Sequence, residues 1–293
     1  MTSPPGGPRK PLARVALLSL ALALLPSCAA PDSVAKFCSS AVTTLKTGDA
    51  LFGDMKASCI RDAETFEPFG AFTVSDTTPT ACDNIGKQVE GLEAASKVVS
   101  SYFTALNDLA SFGSSKAGAD AKDQAAQASA HAKLSAARQT ALESVAGFLV
   151  HAAASGYQQK QLADDIVKVH DEVRSVLEGL GEAAGVVYLQ QLQDEEQKTA
   201  SRYKEFVAAA EKQHQETAAV ILTLDARWQT DRALFAAKRK AARTYQAALE
   251  TLAKGNEDLA AHARGLKTNE LAGLLSPYAA QLETLVPQVQ KAF

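Results

Sequence analysis

Residues 33–61 read SVAKFCSSAVTTLKTGDALFGDMKASCIR, and Val34, Cys38, Ala41, Leu45, Gly48, Phe52, Met55 and Cys59 fall along them at spacings of 4-3-4-3-4-3-4. Steps that alternate three and four keep to one face of a 3.6-residue helix, so the stretch predicts a single apolar seam on one long helix from about Ser33 to Arg61. Asp32 and Ser33 stand where an N-cap would. Gly48 and Gly53 lower the helical propensity and leave a break near Gly48 open.

The same pattern recurs to the end of the chain. Ile85, Val89, Leu92, Ser96, Val99, Phe103, Leu106 and Ala110 predict a helix over about 83–111. A polar, alanine-rich stretch over 119–133 reads as helical, weakly packed and solvated, and Leu134, Leu142, Val145 and Leu149 carry the helix on to about Ala154. Leu162, Ile166, Val169, Val173, Val176 and Leu180 mark another helix, stopped near Gly181. Two long segments follow, about 183–223 and 226–264. The first seam runs through Leu189, Leu192, Glu196, Thr199, Tyr203 and Phe206, the second through Trp228, Phe235, Ala242, Tyr245, Leu249, Leu252, Asn256 and Leu259. Leu224-Asp225-Ala226 is either a turn or helix that runs on. A last helix, about Thr268 to Val289, is expected to kink at Pro277. Residues 62–83, with Phe66, Phe69 and Phe72, read as a compact aromatic loop. The expected architecture is all-α: an elongated antiparallel helical bundle over 33–293 whose long pair projects beyond, or wraps along, the shorter helices.

Composition agrees. Alanine makes up roughly a fifth of the 293 residues, and no proline lies between Pro79 and Pro277, a distribution suited to helix and to little else.

The N-terminus is a different kind of segment. Arg9, Lys10 and Arg14 precede an apolar run, Val15 to Leu25, which is too short for a bilayer span of roughly 20 residues and ends in Leu25-Pro26-Ser27-Cys28. This resembles the signal peptide of a bacterial lipoprotein, with Leu25 and Ser27 at matching positions of the processing box and Pro26 departing from it. The resemblance implies that residues 1–27 are removed, that Cys28 becomes the first mature residue and carries a diacylglyceryl and acyl anchor, and that 28–32 serve as a tether. Ala29, uncharged, resembles the arrangement sorted to the outer membrane, which would put the protein on the periplasmic face if the cell is Gram-negative. Residues 1–27 hold three of the 30 basic residues and none of the 33 acidic ones, so the mature chain has a net charge of −6. That balance argues against a nucleic-acid partner.

An envelope location permits disulfides. On one straight helix Cys38 and Cys59 stand about 31 Å apart, far beyond the roughly 7 Å a disulfide allows. Cys82, opening the next antiparallel helix, is expected beside Cys59. The pairing expected is Cys59–Cys82, with Cys38 free; a break at Gly48 would reopen Cys38–Cys82. Three widely spaced cysteines make a poor metal site.

The chain carries none of the catalytic signatures HExxH, GxSxG, a Walker loop or GxGxxG. His131, His151, His170, His214 and His262 are scattered. Asp164-Asp165, Asp194-Glu195-Glu196 and Lys238-Arg239-Lys240 with Arg243 read as solvated helix faces. Tyr203, Phe206, Trp228, Phe235 and Tyr245 read as core, and Asn256 and Glu196 as register-setting polar groups in apolar seams. No uncharged apolar stretch after residue 27 approaches 18 residues, which argues against an inserting pore hairpin. The expectation is a non-enzymatic envelope protein without cofactor or metal, held to the membrane by its lipid and meeting a protein or cell-wall partner. The alternative is a module holding a small apolar ligand within the bundle. A continuous apolar cavity would favour the ligand; a filled core with exposed apolar residues on 183–264 would favour the interaction protein.

Overall fold

The computed structural model describes residues 29–65, 80–112, 115–154, 159–212, 218–265 and 269–293. These form helices α1 (Ala29–Thr65), α2 (Asp83–Phe112), α3 (Ala121–His131), α4 (Ala136–Ala154), α5 (Gln159–Glu182), α6 (Leu189–Lys212), α7 (Ala218–Ala261) and α8 (Asn269–Gln290), with short 3₁₀ turns at Thr80–Cys82 and Ala263–Gly265. The chain is all-α, and no strand occurs among the described residues. The signal segment 1–27, Cys28 and the three phenylalanines of the aromatic loop lie outside them.

Helix α1 is the centre of the packing, touching α2, α6, α7 and α8. Its predicted seam is buried as expected: Val34, Cys38, Ala41, Leu45, Phe52 and Met55 are all shielded from solvent. A second buried row, Phe37, Thr44, Leu51 and Ser58, widens the stripe. Threonines inside it return their hydroxyls to the backbone, as Thr44 does to the Ser40 carbonyl at 2.8 Å, so they can be buried without an unpaired polar atom.

Side-chain contacts fix where neighbouring helices meet. Phe37 meets Phe103 and the Ser96 hydroxyl bonds the Leu45 carbonyl, which sets α2 against α1. Arg138 on α4 pairs with Glu182 at the end of α5. Glu196 on α6 pairs with Arg239 on α7, and Asp258 on α7 accepts from Tyr278 on α8.

Gly48 does not break α1. A Cβ there would come within 2.2 Å of the Tyr245 hydroxyl, so the glycine makes room for a fully buried ring on α7. Gly255 does the same for Phe37, whose ring would lie 2.5 Å from an added Cβ.

Several boundaries differ from the sequence-based expectation. Helix α1 starts at Ala29, so the stretch read as a tether is helical from that residue, and Asp32 and Ser33 lie inside the helix rather than capping it. The 119–154 helix is two helices: the chain turns after His131 through Lys133, which takes a φ of 53°. The first, α3, is not weakly packed. Ala121, Ala125, Ala128 and Ala132 are buried, and a Cβ on Gly91 of α2 would lie 2.2 Å from the Ala132 amide nitrogen. Small residues on both helices let the backbones approach closely. Gly181 does not stop α5, which passes through a π-helical turn, Ala183–Tyr188, directly into α6. Of the two helices expected to be long, only α7 is, with 44 residues running through Leu224-Asp225-Ala226; α6, Leu189–Lys212, has 24, fewer than α1 with 37 and α2 with 30. Helix α8 continues through Pro277 and Pro287.

Candidate functional site

The π turn decides which residues of α6 meet α1. One extra residue in a turn rotates everything after it by about 100° relative to the preceding face. Upstream, α5 packs on α4 and α7; downstream, α6 turns toward α1. Tyr188, Gln191, Glu195 and Lys198 therefore follow one another along the end of α1. The turn also leaves Val186 and Val187 exposed.

At this junction sits a cluster of charges the sequence reading missed. The Lys238 ammonium of α7 donates to Asp54 Oδ1 at 2.7 Å, and the Tyr188 hydroxyl donates to Asp54 Oδ2. Arg61 lies 3.2 and 3.3 Å from the two Asp54 oxygens, and its Nε donates to Glu195 Oε1 at 2.6 Å. Glu195 Oε2 accepts from the Ser58 hydroxyl at 2.6 Å and from Arg61 Nη2 at 3.2 Å. Glu195 is only 3% exposed and Lys238 only 7%. Two cations and two carboxylates balance. Gln191 adds a bond to the Met55 carbonyl at 2.6 Å, and flanking pairs join Lys198 to Asp62 and Arg239 to Glu196.

Burial by itself would raise the Asp54 pKa. Hydrogen bonds from Lys238 and Tyr188 and the charges of Arg61 and Lys238 outweigh that, so its carboxyl is held below the usual carboxylate range. Burial, and then donation to Asp54, push the Tyr188 phenol up. Asp54 thus stays ionised and Tyr188 protonated. The cluster's oxygens are already filled by protein donors, so its chemistry is that of a latch between α1, α6 and α7.

Two of the charge runs read as solvated faces are therefore divided. Asp194 is exposed, whereas Glu195 is buried and Glu196 is paired; Lys238 is buried and Arg239 paired, whereas Lys240 and Arg243 face solvent. A signal for Lys238 existed. The α7 seam steps seven residues from Phe235 to Ala242, and the skipped register position is Lys238. The skipped position between Trp228 and Phe235 is Asp231, which accepts from the Tyr203 hydroxyl at 2.8 Å. Asp54 lies off the α1 seam and carried no such signal.

Next to the latch, a cleft of about 580 Å³ opens between the end of α1 and the α6–α7 hairpin. Phe206, Leu224, Leu234 and Phe235 supply its apolar wall, and Arg202 and Arg227 its outer cations. Phe235 and Tyr245 are core as expected, but Tyr203, Phe206 and Trp228 are half-buried on the hairpin.

The other singled-out residues are separate from this region. Cys59 and Cys82 are bonded, with Cα atoms 5.8 Å apart, and Cys38 is a buried free thiol whose pKa is pushed up to about 12 by burial. Asn256, fully buried, accepts from the Tyr102 hydroxyl at 2.9 Å and donates to the His170 carbonyl at 3.3 Å, which joins α2, α5 and α7. Asp164 and Asp165 pair separately with Arg264 and Lys168. His214 lies outside the described residues. Among those described, no three His, Cys, Asp or Glu side chains gather as a metal site. Cys28, the expected lipidation site, lies outside the described residues. No family model, curated protein or solved structure matches this chain.

Proposed function

We propose that the chain is a lipid-anchored protein of the bacterial cell envelope, and that its bundle works without catalysis by presenting the α6–α7 hairpin to a protein or cell-wall partner. The anchor rests on Leu25-Pro26-Ser27-Cys28 and the basic, apolar segment before it. Helix α1 begins at Ala29, so an acylated Cys28 would attach directly to the end of the rod, and in a Gram-negative cell the uncharged Ala29 suits the periplasmic face of the outer membrane. No helix among the described residues is long and apolar enough to cross a membrane.

Ala29 and the hairpin lie at opposite ends of the bundle. Gly255 of α7 packs on Phe37 near the start of α1, Lys238 bonds Asp54 near its end, and α7 extends 20 residues further out to Ala218. At 1.5 Å per residue, the hairpin tip stands on the order of 60 Å from the anchored end.

The observation that carries the reading is at that far end: Val220, Ile221 and Leu222 are exposed, Leu222 by 67%. Single exposed apolar residues are ordinary, but several gathered on a projecting hairpin mark a contact surface. A neutral apolar ligand inside the bundle is less favoured, because the clefts described, such as the one lined by Arg174, Glu178, Glu182 and Lys254, are edged by charge.

Two measurements test the proposal. Metabolic labelling with an alkyne fatty acid should tag the wild type and leave Cys28→Ser untagged; an untagged wild type, or a tagged Cys28→Ser, refutes the anchor. A photo-crosslinker at Leu222 should capture a discrete envelope partner in living cells, and its failure to capture any refutes the contact surface.

A further inference from the structure

We propose that the cleft at the base of the hairpin is a binding site for a single-chain anionic amphiphile, an acyl chain ending in a carboxylate, with Arg202 and Arg227 holding the head and Phe206, Leu224 and Leu234 receiving the chain. The inference stands apart from the anchor and from the tip contact.

The charge inventory points to the head. Of the ionic groups lining the cleft, Arg61, Glu195 and Lys238 are engaged in the latch, and Asp231 accepts from Tyr203. Arg202 remains, and Arg227, which donates to the Tyr203 hydroxyl, keeps further N–H donors for a carboxylate. The Arg202 guanidinium lies 5.6 Å over the Phe206 ring, and neither arginine is paired to a carboxylate among the described residues. A guanidinium offers two parallel donors matched to a carboxylate.

The wall points to the tail. Leu234 is 48% exposed and stands with Phe206 and Leu224 along the same cleft. The volume of about 580 Å³ falls within the roughly 300–1,000 Å³ typical of small-molecule sites. A neutral hydrocarbon would cover the guanidiniums without replacing their water, and a free small anion would leave the wall uncovered. An acyl carboxylate satisfies both. The basic cleft between α7 and α8 lacks this combination: Arg239 there is already paired with Glu196, and Leu285 is the one large apolar side chain among its lining residues.

Trp228 supplies the readout. It is the single tryptophan of the chain, and its ring lies 5.6 Å from that of Tyr203 on the cleft wall. Titration of the purified full chain with laurate below its micellar concentration should give a saturable Trp228 fluorescence change. Dodecanol and acetate, which carry only the tail or only the head, should bind at least about tenfold more weakly. Arg202→Gln with Arg227→Gln should weaken laurate about tenfold or more, with unfolding midpoints checked alongside. Equal binding of dodecanol or acetate overturns the proposal without any variant. So does unchanged laurate affinity in a folded double variant.

Discussion

Asp54→Asn is the sharpest test of the latch. The substitution keeps the side chain's shape and removes its charge. Lys238, whose side chain is 8% exposed, then loses its carboxylate partner, while Arg61 keeps Glu195. Removing one member of a buried ion pair costs roughly 3–5 kcal/mol. An asparagine oxygen can still accept, and Asp54 is itself 13% exposed, which puts the expected loss at the lower end, about 3 kcal/mol. Lys238→Met should cost less, about 1–2 kcal/mol, because Asp54 retains Tyr188 and Arg61 as donors. With both changes no unpaired ammonium remains, so the double variant should fall short of the sum of the singles by about 1 kcal/mol or more.

The pH dependence gives a second readout. The folded pKa of Asp54 lies below its ordinary value, so its contribution is fully present above the unfolded value of about 3.9 and is lost as pH falls through the folded value. Urea unfolding followed by circular dichroism, at pH 7 and stepwise down to about pH 2, should show the wild type losing stability more steeply than Asp54→Asn below about pH 4. A loss under about 1 kcal/mol at pH 7, additivity in the cycle, or identical acid slopes would refute the latch.

Three other predictions concern packing and covalent closure. Gly48→Ala should destabilise by about 1–2 kcal/mol in urea titrations, the overpacking against Tyr245 exceeding the gain in helix propensity. Gly91→Ala should cost about 3 kcal/mol, since backbone rather than a side-chain tip must move, and amide exchange should accelerate in α3; unchanged exchange there would contradict the close α2–α3 packing. Cys59→Ser should lower stability by about 3 kcal/mol, the chain entropy of a loop with a sequence separation of 23, whereas non-reducing mass spectrometry of Cys38→Ser should still return a linked 59–82 peptide.

The apolar seams were legible because a helix that buries one face repeats it every three or four residues. Val34 through Met55 on α1 and Tyr245 through Leu259 on α7 are buried where that spacing put them. The cysteine pairing followed from the same rise per residue, since distance along a helix separates Cys38 from Cys59 and a reversal of direction returns Cys82 to Cys59. The N-terminal segment is likewise a local pattern, and the lipid anchor proposed from it rests on that pattern alone.

Hydropathy spacing could not show what depends on a partner helix. Lys238 and Glu195 read as solvated because charge is costly to bury, and that cost is met only once Asp54, Arg61 and Ser58 converge from another helix. Gly48 reads as a weak point until Tyr245 fills the space beside it. Alanines 121, 125 and 128 read as surface until Gly91 lets α2 close on them. The π turn at Ala183–Tyr188 has no propensity signature; contacts on α7 and α1 hold it, and it aims α6 at the latch. Local periodicity determined which residues form helices and which faces they bury. Tertiary structure decided which charges are hidden and where the hairpin leaves the bundle, because those outcomes depend on groups far apart in sequence.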